Sequence, residues 1–346
     1  MARAVTQRYI DPLAQVWLGA ARHLGLEIVR SADTYASTDG RGRLTIAIDA
    51  DLDADDSLAQ MIFHEICHSL VEGADSFKAP DWGMDNTAPD HDWREHACLR
   101  TQWVLTGRHG LRGLFAPTTE FRAFWDTLSG DVLADRTDPS VQRAIAALRR
   151  SDTLPWAGHL AEALAASARI AADARNFAIP FPAPTPLWAT INAPRARHPT
   201  GLPGGEATGT CGSCAWRFDK RGGSYCRQAN AKIDPAWPSC ERFEAALDCL
   251  TCGACCREAY HSVDVAPRDP MVKKQPSFVV KRGARLEVLR NNERCAALHG
   301  GEVVEGKATK YLCVIYDDRP KTCREFTLGS FNCLTARRRV GLSLGS

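Results

Sequence analysis

Twelve of the fourteen cysteines in this 346-residue chain fall between Cys211 and Cys333, and only Cys67 and Cys98 precede them. That concentration limits the fold of the second half more than any other feature. Short segments crowded with thiols cannot bury a large apolar core, so they are expected to fold around metal or disulfides. The cysteines recur in C-x-x-C pairs, and the start, Met1-Ala2-Arg3-Ala4-Val5-Thr6-Gln7-Arg8, lacks the apolar run of a signal peptide. Metal-bound thiolates in a reducing, cytoplasmic compartment are therefore the expectation. The composition is otherwise that of a globular protein, 45% hydrophobic and 24% charged with a net charge of +2. Such a balance gives no argument for nucleic acid or a membrane surface as partner, and no run approaches a membrane span.

The shift in cysteine usage coincides with the run from Phe177 to Pro186, followed by Pro194, Pro199 and Pro203-Gly204-Gly205. So much proline and glycine excludes a helix interior and predicts a semi-rigid linker. The expected organisation is an N-terminal domain over 1–176, a linker over 177–208, a four-cysteine module over 209–244 and a cysteine domain over 247–340. The expected fold class is α+β: a small sheet with helices, followed by loop-rich modules stabilised by metal.

Within the first domain the most informative stretch is Phe63-His64-Glu65-Ile66-Cys67-His68. Residues four apart leave the same face of a helix, so His64 and His68 can hold one Zn²⁺, with Glu65 beside them as general base for a metal-bound water. A helix is expected there because Asp55-Asp56-Ser57 supplies capping side chains and Leu58, Met61, Ile62, Ile66 and Leu70 form an apolar stripe. Upstream, Asp11-Pro12 opens a helix with Leu13, Val16, Trp17, Ala20 and Leu24 on one face. Leu26 to Arg30 reads as a short strand, and Leu44, Ile46 and Ile48 alternate with polar or small residues as a second. The aperiodic stretch from Glu72 to Asp92, which contains Trp82, is expected to wall a substrate cleft. Further helices are expected from His91 to Leu105, from Thr118 onward, over Pro139 to Leu148 and over Trp156 to Asn176, with His109 and His159 as surface or core histidines.

A strand followed by an H-E-x-x-H helix is the local order of the zincin metallopeptidases, and this segment resembles them. The resemblance implies a third protein ligand and an open position for water. In the zincin branch whose third ligand is a glutamate, that residue comes from a downstream helix, which points to Glu95; His96 and His91 are the alternatives. Leu99 departs from the family pattern, standing where many such enzymes carry a supporting acid. The implied activity is hydrolysis of a peptide bond in a peptide or protein substrate. His64, His68 and Glu95 would hold the Zn²⁺, and Glu65 would move the proton.

In the second half, Cys211-x2-Cys214-x11-Cys226-x13-Cys240 supplies four thiolates, the number a tetrahedral Zn²⁺ or a [4Fe–4S] cluster takes. Arg217, Lys220, Arg221 and Arg227 interleave with Trp216, Phe218 and Tyr225, which reads as a solvated basic surface in preference to a nucleic-acid contact. Beyond them, Cys249-Leu250-Thr251-Cys252-Gly253-Ala254-Cys255-Cys256, then Cys295, Cys313, Tyr316, Arg319-Pro320, Cys323-Arg324, Phe326 and Cys333 resemble the YkgJ-type cysteine-cluster family. That family is described as zinc- or iron-chelating, with a C-x-x-C-x-x-C-C signature, and distant relatives of the cluster occur in flagellin lysine methylases. The resemblance implies a zinc, iron or iron–sulfur centre without fixing a reaction.

Neighbouring side chains of an extended segment point to opposite sides, so Cys255 and Cys256 are expected to serve different metal sites or different irons of one cluster. Eight cysteines fill two four-coordinate centres, or one centre plus redox-active thiols. Arg319 and Arg324 are expected to offset thiolate charge, and Arg337-Arg338-Arg339 to form a solvated tail. Two further functions fit the composition: an iron–sulfur oxidoreductase or protein-modifying enzyme centred on these cysteines, and a non-catalytic metal-binding scaffold.

Overall fold

The computed structural model describes residues 6–85, 92–117, 121–179, 184–304 and 307–344, as a mixed α+β arrangement of helices and small sheets. It divides into two compact units, Met1–Ser129 with Ala147–Arg195, and Gly130–Ala146 with Ala196–Ser346. No helix of the described residues is long and apolar enough to cross a membrane.

The first unit begins with α1 (Pro12–His23), where the Asp11 carboxylate accepts the N–H groups of Leu13 at 2.9 Å and Ala14 at 3.2 Å, satisfying donors that a helix start leaves open. Strands β1 (Glu27–Ser31), β2 (Ala36–Thr38) and β3 (Arg43–Ala47) form a sheet in the order β1-β3-β2, parallel between β1 and β3 and antiparallel between β2 and β3. Three residues of β2 are too few to show an alternating pattern, which is why this strand has no sequence signal.

Helix α2 (Leu58–Glu72) starts at Ser57, whose hydroxyl accepts the Gln60 N–H at 3.1 Å. Twelve of its fifteen residues are buried, so α2 is a central helix and not one with a single apolar stripe. Trp17, Phe63 and Phe115 pack in mutual contact on one side of it, with centroids 4.8–5.6 Å apart. On another side the Trp156 indole N–H donates to Ser69 Oγ at 2.9 Å. Arg150 Nη1 donates to the carbonyls of Leu70 and Val71, placing a cation on orphan acceptors at the helix C-terminus.

Helix α3 (Asp92–Gly107) packs on α2 and is followed by α4 (Arg122–Thr127). The expected helix start at residues 118–120 lies outside the described residues. Helix α5 (Pro139–Arg150) follows. Helix α6 (His159–Arg175) starts three residues later than Trp156, because Gly158 adopts φ +84° and turns the chain there.

In the second unit β4 (Arg217–Lys220), β5 (Gly223–Cys226) and β6 (Ala231–Lys232) form an antiparallel meander. Its core, Cys211, Trp216, Cys226 and Ile233, is completed by Cys333 and Leu334. Residues 130–146 belong to this unit rather than to the N-terminal one. The latter part of the proline-rich stretch also joins it: Arg197 bridges Pro203, and Gly204 bridges Cys240. Residues 180–183 of the expected linker lie outside the described residues. Arg227 stacks on Phe218 and Lys220 on Tyr225, so two of the basic side chains are engaged by the protein's own aromatic rings.

The cysteine-rich remainder contains short helices α7 (Cys249–Cys252), α8 (Met271–Lys274) and α9 (Lys321–Arg324), and a longer α10 (Phe331–Arg339). Strands β7 (Asp264–Val265), β8 (Val279–Arg282) and β9 (Arg285–Val288) pair antiparallel in the order β7-β9-β8. The arginines at 337–339 are not a solvated tail. Arg337 is 3% exposed and ion-paired with the equally buried Glu244, whose other oxygen accepts from Trp216 Nε1 at 2.9 Å and Ser343 Oγ at 2.8 Å. Arg338 and Arg339 donate to the carbonyls of Gln228 and Ala259. A buried guanidinium is tolerated because every such bond replaces one lost to water.

Candidate metal centres

His64 and His68 leave α2 on one side, one turn apart, and Glu95 meets them from the first turn of α3. The His64 and His68 Nε2 atoms stand 3.0 Å apart. Glu95 Oε1 lies 3.4 Å from His64 Nε2, and its Oε2 lies 3.2 Å from His68 Nε2. Two ligands held at the usual distance from a tetrahedral Zn²⁺ stand about 3.3 Å apart. Three electron-pair donors facing one another at this spacing repel unless a cation or a proton lies between them. Burial, then the charges of His64 and Arg94, holds the His68 imidazole well below the usual histidine pKa, so the ring is neutral and able to offer a lone pair to a cation. The donor set therefore fits a divalent ion of zinc's type. Cys98, one turn after Glu95, brings its sulfur into the same group, whose four donor atoms lie within 4.8 Å of one another.

The orientation of His64 has a traceable cause. Gln102 Nε2 donates to the Phe115 carbonyl, which turns its Oε1 toward His64 Nδ1 at 3.0 Å. Nδ1 then carries the hydrogen and Nε2 offers its lone pair. Gln102→Leu is expected to lower zinc affinity roughly 10–100-fold, the usual cost of losing such a partner, and competition with a chromogenic chelator measures it.

Glu65, 7% exposed, lies beside the histidines. Its Oε2 accepts the Trp82 indole N–H at 2.7 Å, and burial raises its pKa above the ordinary carboxylate range. Asp81 and Trp82 both take positive φ, 47° and 57°, a region that costs a non-glycine residue roughly 1–2 kcal/mol. The turn is held by Asp81 Oδ1, which accepts Ser37 Oγ–H at 2.8 Å and the Thr38 N–H at 3.1 Å. His96, an alternative third ligand, instead stacks on Phe124 with centroids 3.8 Å apart. His91, the other, lies outside the described residues.

In the four-cysteine module Cys211 begins a 3₁₀ turn, Cys226 ends β5 and Cys240 follows Pro238-Ser239. The four thiols and His198 line a cavity of about 10 Å³. Burial, reinforced by the neighbouring thiols, pushes Cys211 up to about 11 and Cys240 up to about 12. His198 carried no signal in the sequence, yet its Nε2 lies 3.3 Å from Cys211 Sγ. Because the Thr200 N–H donates to His198 Nδ1 at 3.1 Å, Nε2 holds the hydrogen, and it faces the Pro238 carbonyl as well as the sulfur.

Farther along, Asp248 caps α7, and Gly253 in the left-handed region turns the chain after Cys252. A Cβ at Gly253 would sit 2.8 Å from the Tyr311 ring, so the turn requires glycine. All eight cysteines from Cys249 to Cys333 line one cavity of about 400 Å³. Arg319, Arg290 and Arg337 also reach its wall. Arg324 does not: it pairs with Asp269 at 3.8 Å. None of the fourteen cysteines is joined to another in a disulfide.

A family model described as "CxxCxxCC: putative zinc- or iron-chelating domain" matches residues 248–337. The chain is 32% identical over 106 residues to the uncharacterized protein YkgJ of Escherichia coli O157:H7, an alignment that covers 28% of this chain and 93% of that protein. No solved structure matches. The matched segment is the one that surrounds the eight-thiol cavity and carries its metal-binding character, and through it this chain belongs to the YkgJ family.

Proposed function

We propose that the protein is a zinc-dependent hydrolase acting on peptide bonds, with His64, His68 and Glu95 as metal ligands and separate zinc or iron centres on the cysteines. The observation that carries this reading is the convergence of the three donors of an H-E-x-x-H helix and its neighbour at 3.0–3.4 Å. A bound Zn²⁺ supplies Lewis acidity and lowers the pKa of a coordinated water toward about 7. The Glu65 carboxylate takes the proton from the attacking water and returns it to the leaving amine. Its raised pKa brings proton affinity closer to the operating pH, and the Trp82 indole fixes its orientation. A peptide or protein substrate in the cytoplasm, a reducing compartment, fits a chain whose fourteen cysteines form no disulfide.

The eight-thiol cavity favours one second reading, an iron–sulfur oxidoreductase or protein-modifying enzyme with its chemistry in that unit. Incubation with a peptide library separates the two. Cleavage that a chelator abolishes and Zn²⁺ restores is expected; a fully zinc-loaded protein with no turnover would leave the N-terminal centre as a binding scaffold.

A further inference from the structure

The eight thiols around the 400 Å³ cavity have two sets of supports. Cys249 and Cys252 lie on α7 and Cys333 on α10. Cys252 packs with Ala254, Ala259, Ala336 and Leu342 in a small apolar cluster, with Cys255 at its edge. Cys295 and Cys313 pack instead against a different cluster, built from Val265, Met271, Val288, Ala297 and Ile315 around the β7-β9-β8 sheet. Cys256 is tied to that side because its carbonyl accepts the Cys295 N–H at 2.8 Å. Cys323, on α9, is tied there too: the Lys321 N–H donates to Asp269 and Thr322 Oγ1 to the Asp264 carbonyl, both at 2.8 Å.

Electrostatic neighbours separate Cys249, Cys252 and Cys333 from Cys295, Cys313 and Cys323, with Cys255 facing both groups. Cys249 is surrounded by Cys255, Cys252 and Cys333, whereas Cys323 is surrounded by Cys295, Cys255 and Cys313. Each set also has its own guanidinium. Arg337 stands beside Cys252 and Cys333, and Arg319 beside Cys313 and Cys323. The sets meet at the adjacent pair Cys255 and Cys256, whose sulfurs are 3.9 Å apart.

Size argues for the kind of guest. A space of roughly 10–15 Å³ accepts one water-sized particle, and the cavity of the four-cysteine module is about that large. The eight-thiol cavity is many times larger than a single ion at each set of four would need. Iron–sulfur clusters, in which sulfide separates several irons, are thiolate-bound guests of the larger kind.

We infer that Cys249, Cys252, Cys255 and Cys333 hold one iron–sulfur cluster and that Cys256, Cys295, Cys313 and Cys323 hold a second. This rests on the reading of the cysteine domain as a metal centre and is independent of the hydrolase site. The test uses full-length protein purified without oxygen, with iron, zinc and acid-labile sulfide counted per chain and electron paramagnetic resonance recorded after reduction. Cys249→Ser is expected to remove roughly four irons, the content of one [4Fe–4S] cluster, and leave the signal of the second set; Cys323→Ser is expected to do the converse. The wild-type spectrum is expected to show spin coupling between adjacent clusters, a readout that needs no variant to fold, and the coupling is expected to disappear in both variants. One signal lost equally in both variants, with no coupling in the wild type, would mean a single centre and overturn the division. Zinc in place of iron would overturn the cluster assignment, and absence of any metal would defeat the underlying reading as well.

Discussion

Glu65→Gln is expected to lower peptide hydrolysis roughly 10²–10⁴-fold, the usual contribution of a positioned proton-transfer group. The replacement keeps the shape of the side chain, and its amide oxygen can still accept the Trp82 indole N–H that Glu65 now receives at 2.7 Å. It leaves His64, His68 and Glu95 unchanged, so zinc content should remain that of the wild type. What it removes is a carboxylate whose burial raises its proton affinity, and an amide has no comparable basicity. The loss should therefore fall on kcat, read from steady-state cleavage of a fluorogenic peptide alongside zinc analysis. Full activity in this variant would remove Glu65 from the mechanism and the hydrolase reading with it.

The second large effect is expected on folding. The second unit has strands of only two to four residues, and its apolar clusters are small and partly made of cysteine: Cys211, Cys226 and Cys333 in one, Cys252 in another. Such clusters cannot offset the conformational entropy of ordering so much irregular chain. Structural Zn²⁺ in comparable small modules contributes about 10–16 kcal/mol of apparent binding energy, so removing metal should unfold this unit. Limited proteolysis after chelation under reducing conditions is expected to cut within residues 196–344. The first unit, which buries Trp17, Phe63, Phe115 and Trp156, should persist. An unchanged digestion pattern in fully metal-free protein would mean that the apolar and ionic contacts suffice, including the buried pair of Glu244 and Arg337.

How far the sequence could be read follows from how local each feature is. His64 and His68 share a helix face by spacing alone, and the capping residues Asp11 and Ser57 sit directly before the helices they start. Spacing alone does not single out Glu95; only the resemblance to zincins points to a donor on a downstream helix. Gln102, Trp82 and His198 lie 38, 17 and 13 residues from their partners, and no short-range pattern marks those contacts. The same distance hides the role of Arg337: three consecutive arginines resemble a solvated tail until Glu244, 93 residues away, is brought against the first of them. Strands such as β2 and β7 are too short for alternation to appear. The α+β class was legible, whereas likeness to a zincin fold rests on the motif and belongs to the proposal.

The most direct measurement is elemental analysis of anaerobically purified protein, comparing zinc and iron per chain in the wild type and in His64→Ala. Removing one of three ligands from a preformed site should abolish its occupancy without reaching the cysteines. The expected result is the loss of about one zinc per chain in His64→Ala, with every other metal retained. Unchanged zinc in the variant would contradict a metal centre at His64, His68 and Glu95 and leave the cysteine unit as the seat of function.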